Sequence, residues 1–268
     1  MNFYNNPKKS LGQNFLIDKN IVNKIINILQ IKKDENILEI GPGYGILTNK
    51  ILETHPKKFI AIEKDKKLVE ILKKKIINDK KINIINDDIF NHIKKNTFGK
   101  NIIVLGNLPY NISTQILASL VLLKKWPPWY KILVFMFQKE VADRIIAKPN
   151  TKEFGRLTVL SNWRLEIKKH FDVSKNCFFP KPKVNSTILS FKPKKNNLFQ
   201  LRNPKSLEKV TQVLFSNRRK MINKNIKKLF NNKLFLLDNL NIDLNKRPGE
   251  LTNEIFYKIA IQYEKLLD

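Results

Sequence analysis

Gly106-Asn107-Leu108-Pro109-Tyr110-Asn111 decides how this chain is read. It follows Asn101-Ile102-Ile103-Val104-Leu105, an apolar run that predicts a buried strand ended by a turn. Ser113 stands where it can cap a helix carrying Ile116, Leu117, Leu120 and Val121. Asn107 to Tyr110 are therefore expected at the carboxyl end of a strand, where open α/β sheets bind their ligands.

The chemistry of these residues suits one task. The Asn107 amide and the proline-stiffened Leu108 carbonyl can both accept hydrogen bonds from one exocyclic amino group. Tyr110 offers an aromatic face on which a base can stack. An ordinary strand-end turn would also account for these residues alone, so the rest of the chain has to discriminate.

Composition narrows the choice. None of the 268 residues falls in an apolar run long enough to span a membrane. The N-terminus has no apolar signal core. One cysteine, Cys177, excludes an internal disulfide framework, and His55, His92 and His170 match no metal-ligand spacing. No metal is expected, and a cytoplasmic setting is. The net charge of +28, from 51 Lys and Arg against 23 Asp and Glu, favours a polyanionic partner. An AT-rich genome inflates lysine too, but it does not cluster arginines as this chain does.

Upstream, Asp18 is placed to cap a helix with Ile21, Val22, Ile25, Ile26 and Leu29 on one face. The preceding segment is polar, with Lys8 and Lys9, then Leu11-Gly12-Gln13-Asn14-Phe15-Leu16. Asn36 to Ile40 predict a strand, followed by Gly41-Pro42-Gly43-Tyr44-Gly45 and a helix to about Glu53. Such a turn lets backbone approach a ligand closely at a helix N-terminus. It matches neither the Gly-x-Gly-x-x-Gly of dinucleotide sites nor a phosphate-binding loop ending in Gly-Lys-Ser/Thr. The next strand ends in Glu63, about 20 residues on, where an acid can hold a ribose diol. Turn and acid together indicate an adenosine-containing cofactor.

A Lys-rich helix is predicted from Lys66 to Asn78, with Leu68, Ile71, Leu72 and Ile76 inward, then a strand at Ile82 to Ile85. Asn86-Asp87-Asp88-Ile89-Phe90 follows it, where an Asp could bind an adenine amine with Ile89 or Phe90 against the ring, although Asn-Asp pairs also make plain Asx turns. Further strands are expected at Lys131 to Phe137, Glu166 to Phe171 and Ser186 to Phe191, with a helix from Lys139 to about Ala147. Trp126 and Trp129 read as packing residues. Phe178-Phe179-Pro180-Lys181-Pro182-Lys183-Val184 predicts a stiff loop with a stacking ring and phosphate-seeking charge. Beyond residues 194–206 the chain reads all-helical. Its first helix carries Val210, Val213 and Leu214 and, on its far side, Arg218-Arg219-Lys220; apolar segments follow at Leu229 to Leu240 and Asn253 to Leu267. The expected domains are 1–197, catalytic, and 198–268, helical and RNA-binding.

In this order, the strand-end motifs resemble those of a class I S-adenosylmethionine-dependent methyltransferase acting on adenine. More narrowly, almost the whole chain resembles the ribosomal RNA small-subunit adenine dimethyltransferase family. The marks are Gly12-Gln13-Asn14-Phe15-Leu16, Glu39-Ile40-Gly41-Pro42-Gly43, Gly106 to Thr114, Phe137-Gln138-Lys139-Glu140-Val141-Ala142, Pro182-Lys183-Val184, Phe215-Ser216-Asn217-Arg218-Arg219-Lys220 and Arg247-Pro248-Gly249-Glu250-Leu251. Phe178-Phe179-Pro180-Lys181-Pro182 departs from the family's Phe-x-Pro-Pro-Pro.

The resemblance implies a Rossmann-like α/β fold with a small all-helical C-terminal domain. It implies S-adenosylmethionine as cofactor. Asn14 and Leu16 would close over it, with Gly41 under its methionine part, Glu63 on its ribose, Asp88 on its adenine amine and Asn107 beside the reacting centre. The target adenine would lie between Tyr110 and Phe178, with Phe179 as a rival for the second face. Arg218, Arg219 and Lys220 would bind RNA. The substrate would be two adjacent adenosines near the 3′ end of 16S rRNA in the 30S subunit or its precursor, each methylated twice on N6. A monomer is expected, with neither DNA nor membrane as partner. Two alternatives stand beside this: a 23S rRNA adenine methyltransferase of the antibiotic-resistance type, and a mainly non-catalytic assembly factor.

Overall fold

The computed structural model describes residues 7, 12–76, 79–95, 97–196 and 198–267. Lys8, Lys9, Leu11, the expected helix end at Asn78 and the expected domain limit at 197 lie outside them.

Alternating short strands and helices build the first half. They run β1 (Phe15–Leu16), α1 (Lys19–Leu29), β2 (Asn36–Ile40), α2 (Ile46–Leu52), β3 (Lys58–Glu63), α3 (Lys66–Lys75), β4 (Ile82–Asn86), α4 (Phe90–Ile93), β5 (Ile102–Gly106) and α5 (Ser113–Val121). Then come β6 (Tyr130–Gln138), α6 (Lys139–Ile145), α7 (Arg156–Arg164), β7 (Leu165–Val173), β8 (Phe178–Phe179) and β9 (Ser186–Pro193). The chain closes with α8 (Lys205–Leu214), α9 (Asn223–Leu229) and α10 (Asn253–Leu266).

Seven strands form one sheet in the order β4-β3-β2-β5-β6-β9-β7. The first five are parallel, and β9 runs antiparallel to β6. Buried parallel strands read as unbroken apolar runs, which is why Ile102 to Leu105 are all inaccessible to solvent. The strand order reverses beside β2, whose neighbours are β3 and β5. That switch point opens a crevice at the carboxyl ends of these strands. Close approach there depends on Gly106, where a Cβ would lie 2.6 Å from the Ile40 carbonyl.

The polypeptide divides into two compact units. One comprises 1–116, 128–142 and 168–192 and holds most of the sheet; the other comprises 117–127, 143–167 and 193–268. The second thus takes in more than the segment past residue 197, because α7 packs with α8 and α10. Within it Tyr257 donates to the Val159 carbonyl at 3.0 Å, and Glu264 accepts from the Arg202 and Asn203 N–H groups. No helix among the described residues is long and apolar enough to cross a membrane.

Several local expectations need correction. Asp18 does cap α1, accepting from the Asn20 and Ile21 N–H groups. Ser113, by contrast, is the first residue of α5, and its hydroxyl donates back to the Tyr110 carbonyl. Helix α7 was not foreseen, because Thr158, Val159, Leu160, Ser161, Trp163 and Arg164 are all buried and leave no apolar stripe. Arg218 to Lys220 lie past α8, after a 3-10 turn at Phe215–Asn217, and not on its far side. The apolar stretch expected from Leu229 to Leu240 splits into the end of α9 and a 3-10 segment, Leu234–Leu240.

Candidate active site

One cavity lies over the switch point, within the first unit. Its walls come from the carboxyl ends of β2 (Gly41 to Tyr44), β3 (Glu63, Lys64) and β5 (Asn107 to Ile112), with the segment Gly12 to Leu16 across it.

The turn after β2 is shaped by glycine. Gly43 has φ +59°, and a Cβ there would meet the Phe15 ring at 2.9 Å. Only hydrogen lets the Phe15 ring pack against this turn, where it also meets Tyr44 edge-on at 4.6 Å between centroids. Beside Gly41, φ +67°, the space is open.

Two carboxyls stand below the turn. Glu63 accepts from the Gly43 N–H at 3.2 Å and the Asp65 N–H at 2.9 Å. Burial pushes its pKa up, against the lowering pull of those two donors. Glu39, 1% exposed, accepts from the Thr48 hydroxyl at 2.6 Å. Burial raises it to about 8, with Glu63 adding to the rise. Burial and mutual repulsion favour the neutral form of this pair, so a cation bound beside them would favour their ionisation. No role was expected for Glu39, although an acid inside an otherwise apolar strand is a visible signal.

Asn107 is tied to the facing segment. Its Nδ2 donates to the Asn14 carbonyl at 2.8 Å. That contact leaves Oδ1 as the outward acceptor of the side chain. Among the described residues nothing donates to the neighbouring Leu108 carbonyl, while the Leu108 side chain is buried. The Tyr110 hydroxyl is fixed to Ser186 Oγ at 2.7 Å, and burial raises its pKa. Gln13 reaches from the same N-terminal segment to Asp65 at 3.3 Å.

Asn14, Leu16, Gly41, Glu63, Asn107, Leu108 and Tyr110 all line this cavity, as does Glu39. Asp88 does not. It is ion-paired with Lys64 at 2.8 Å, and Lys64 stands on the cavity wall in its place. Burial works against the Asp88 charge, but Lys64 and the Phe90 N–H outweigh it and hold the pKa below the usual range.

Phe178 is also placed differently from expectation. It is 3% exposed and packs in the core with Leu16, Val22 and Ile25. Strand β8 pairs with β1 in the register Phe15↔Phe179 and Leu16↔Phe178. Facing residues share a side of the ladder, so Phe178 follows Leu16 inward and Phe179, 44% exposed, follows Phe15. As folded, Phe178 shows no face to a base; the exposed ring is Phe179. In the second unit, Arg218, Arg219 and Lys220 are exposed, with Arg218 donating to the Thr151 carbonyl at 3.1 Å. No group of three or more His, Cys, Asp or Glu side chains among the described residues is arranged to hold a metal.

A family model described as ribosomal RNA adenine dimethylase matches residues 4–265. A ribosomal RNA small subunit methyltransferase A from Pelagibacter ubique is 47% identical over 260 residues, 97% of each chain. Its counterpart from Malacoplasma penetrans is 40% identical over 261 residues, 96% of this chain and 92% of that one. Among solved structures, a dimethyladenosine transferase from Plasmodium falciparum superposes with TM-score 0.77 at 26% identity, covering 94% of this chain and 98% of that one. A 23S rRNA methyltransferase, ErmE, superposes at TM-score 0.65 with 20% identity, covering 93% and 99%, a likeness of fold. With a family match over nearly its whole length and relatives this similar, the chain belongs to the ribosomal RNA adenine dimethylase family.

Proposed function

We propose that the enzyme transfers methyl groups from S-adenosylmethionine to N6 of two adjacent adenosines near the 3′ end of 16S rRNA, two to each. It acts as a monomer in the cytoplasm, on the small subunit or its precursor. The observation that carries this reading is the orientation of Asn107. With Nδ2 committed to the Asn14 carbonyl, Oδ1 and the Leu108 carbonyl form a pair of acceptors at the strand end. An exocyclic amine presents two N–H donors, and a pair of acceptors is what it needs.

Adenine N6 is a poor nucleophile, because its lone pair is delocalised into the ring. Accepting both N–H bonds out of the ring plane draws the nitrogen toward tetrahedral geometry and turns its lone pair into the cavity. Neutral acceptors suffice, since the proton need not leave first. Positioning and electrostatics therefore supply most of the rate enhancement. Tyr110, held by Ser186, gives the extruded base a fixed ring to stack on. An unpaired loop base costs only a few kcal/mol to extrude.

The cavity fits the cofactor. Glu63 would hold the ribose hydroxyls. The open space beside Gly41 would admit the methionine part, and the cofactor's positive charge would favour ionisation of the two buried carboxyls. Bound there, S-adenosylmethionine supplies an electrophilic methyl group. Asp88 would accept from the adenine amine on Oδ1 while Lys64 keeps Oδ2, since a carboxylate has lone pairs for both. In the second unit, the turn at Arg218 to Lys220 would hold rRNA phosphates. The small-subunit names of the Pelagibacter and Malacoplasma relatives favour 16S over 23S rRNA.

Replacing Asn107 with Ala tests the reading. Methyl transfer to RNA is expected to fall about 10²-fold or more, with cofactor affinity changed far less. Near wild-type transfer would remove the role assigned to Asn107.

A further inference from the structure

Past Phe179 the chain leaves the strand, with bends at Pro180, Lys183 and Val184, and most of it is exposed. Phe178 and Pro182 are buried, whereas Phe179, Lys181 and Lys183 are exposed. One ring and two ammonium groups therefore stand exposed within five residues of chain. Both ends of the segment are anchored at the cavity. At one end Phe179 pairs with Phe15, a cavity-lining residue. At the other, Ser186 holds the Tyr110 hydroxyl. The segment thus begins and ends beside the place where a target base would sit, without filling it.

We infer that residues 179–183 form a track for the single-stranded RNA next to the target nucleotide, with Phe179 stacking on a neighbouring base and Lys181 and Lys183 holding its phosphates. An aromatic ring interleaved with cations is the arrangement that binds single strands with little sequence preference. The tyrosine inside the cavity serves the reacting base; the phenylalanine outside it serves the next one. This inference rests on the RNA methyltransferase reading above.

The test uses the full-length enzyme and a hairpin RNA carrying 2-aminopurine beside the target adenosine. Binding to the wild type quenches that fluorophore by stacking. Phe179→Ala abolishes the quenching and weakens RNA binding by roughly 10-fold, while Phe179→Tyr retains both. Replacing Lys181 and Lys183 by Ala together lowers the slope of log Kd against log salt by about 1.4, two phosphate contacts at ~0.7 each. Quenching that survives in Phe179→Ala, or a slope unchanged in the double variant, would overturn the track. Loss of methyl transfer to RNA by the wild type itself would instead remove the underlying reading.

Discussion

Glu39 is a buried carboxyl whose titration bears on the stability of this fold. Its carboxyl is inaccessible in the middle of β2 and has one hydrogen-bond donor, Thr48. Burial shifts it from 4.5 to about 8. The folded protein therefore holds a proton that the unfolded chain releases above pH 4.5. The stability tied to that proton is fully present below pH 4.5 and is lost as pH rises through about 8. The whole shift corresponds to at most about 5 kcal/mol, and about 2 kcal/mol of it falls between pH 6 and 8. Glu39→Gln keeps the shape and an acceptor for Thr48 but cannot ionise. Relative to wild type, the variant is expected to gain about 2 kcal/mol from pH 6 to pH 8, a relative rise in Tm of about 4–8 °C. Thermal denaturation of both proteins across that range checks it. Parallel curves for the two proteins would refute the claim that Glu39 is buried protonated. Glu63 repels Glu39, so the difference between the two proteins reports the coupled pair.

Further outcomes follow from packing and charge. Gly106→Ala places a methyl 2.6 Å from the Ile40 carbonyl, a contact that backbone must move to relieve; a loss of about 1–3 kcal/mol in denaturant unfolding is expected, with a drop in turnover because Asn107 is the next residue. Phe178→Ala opens a cavity in the core and should cost about 3–5 kcal/mol, whereas Phe179→Ala on the exposed side stays within about 0.5 kcal/mol. Replacing Arg218 and Arg219 together is expected to weaken rRNA binding and flatten its salt dependence, read from filter binding across salt concentrations; an unchanged slope would count against phosphate contacts there.

The parts of the site written locally were legible in the chain. A glycine turn after a buried run, an acid at the end of the next strand and an Asn-Pro turn after the fifth each declare themselves within ten residues. The parts that depend on partners were not. Whether Phe178 or Phe179 faces solvent is set by the register of β8 against β1, more than 160 residues away in the chain, and a one-residue change of register would exchange them. The partner of Asp88 is Lys64, on a neighbouring strand end, which nothing at Asp88 foretells. The link from Asn107 to the Asn14 carbonyl is of the same kind. Helix α7 escaped because most of its surface is buried, polar residues included, and periodicity reports only faces that differ.

The most direct test of the central claim is methyl transfer from labelled S-adenosylmethionine to unmethylated small ribosomal subunits and, separately, to unmethylated large-subunit RNA, with nucleoside analysis of the products. N6,N6-dimethyladenosine on the small subunit, at two adjacent positions and formed more slowly with Asn107→Ala, by about 10²-fold or more, is the predicted result. Label confined to large-subunit RNA, or none on either acceptor while the cofactor still binds, would contradict it.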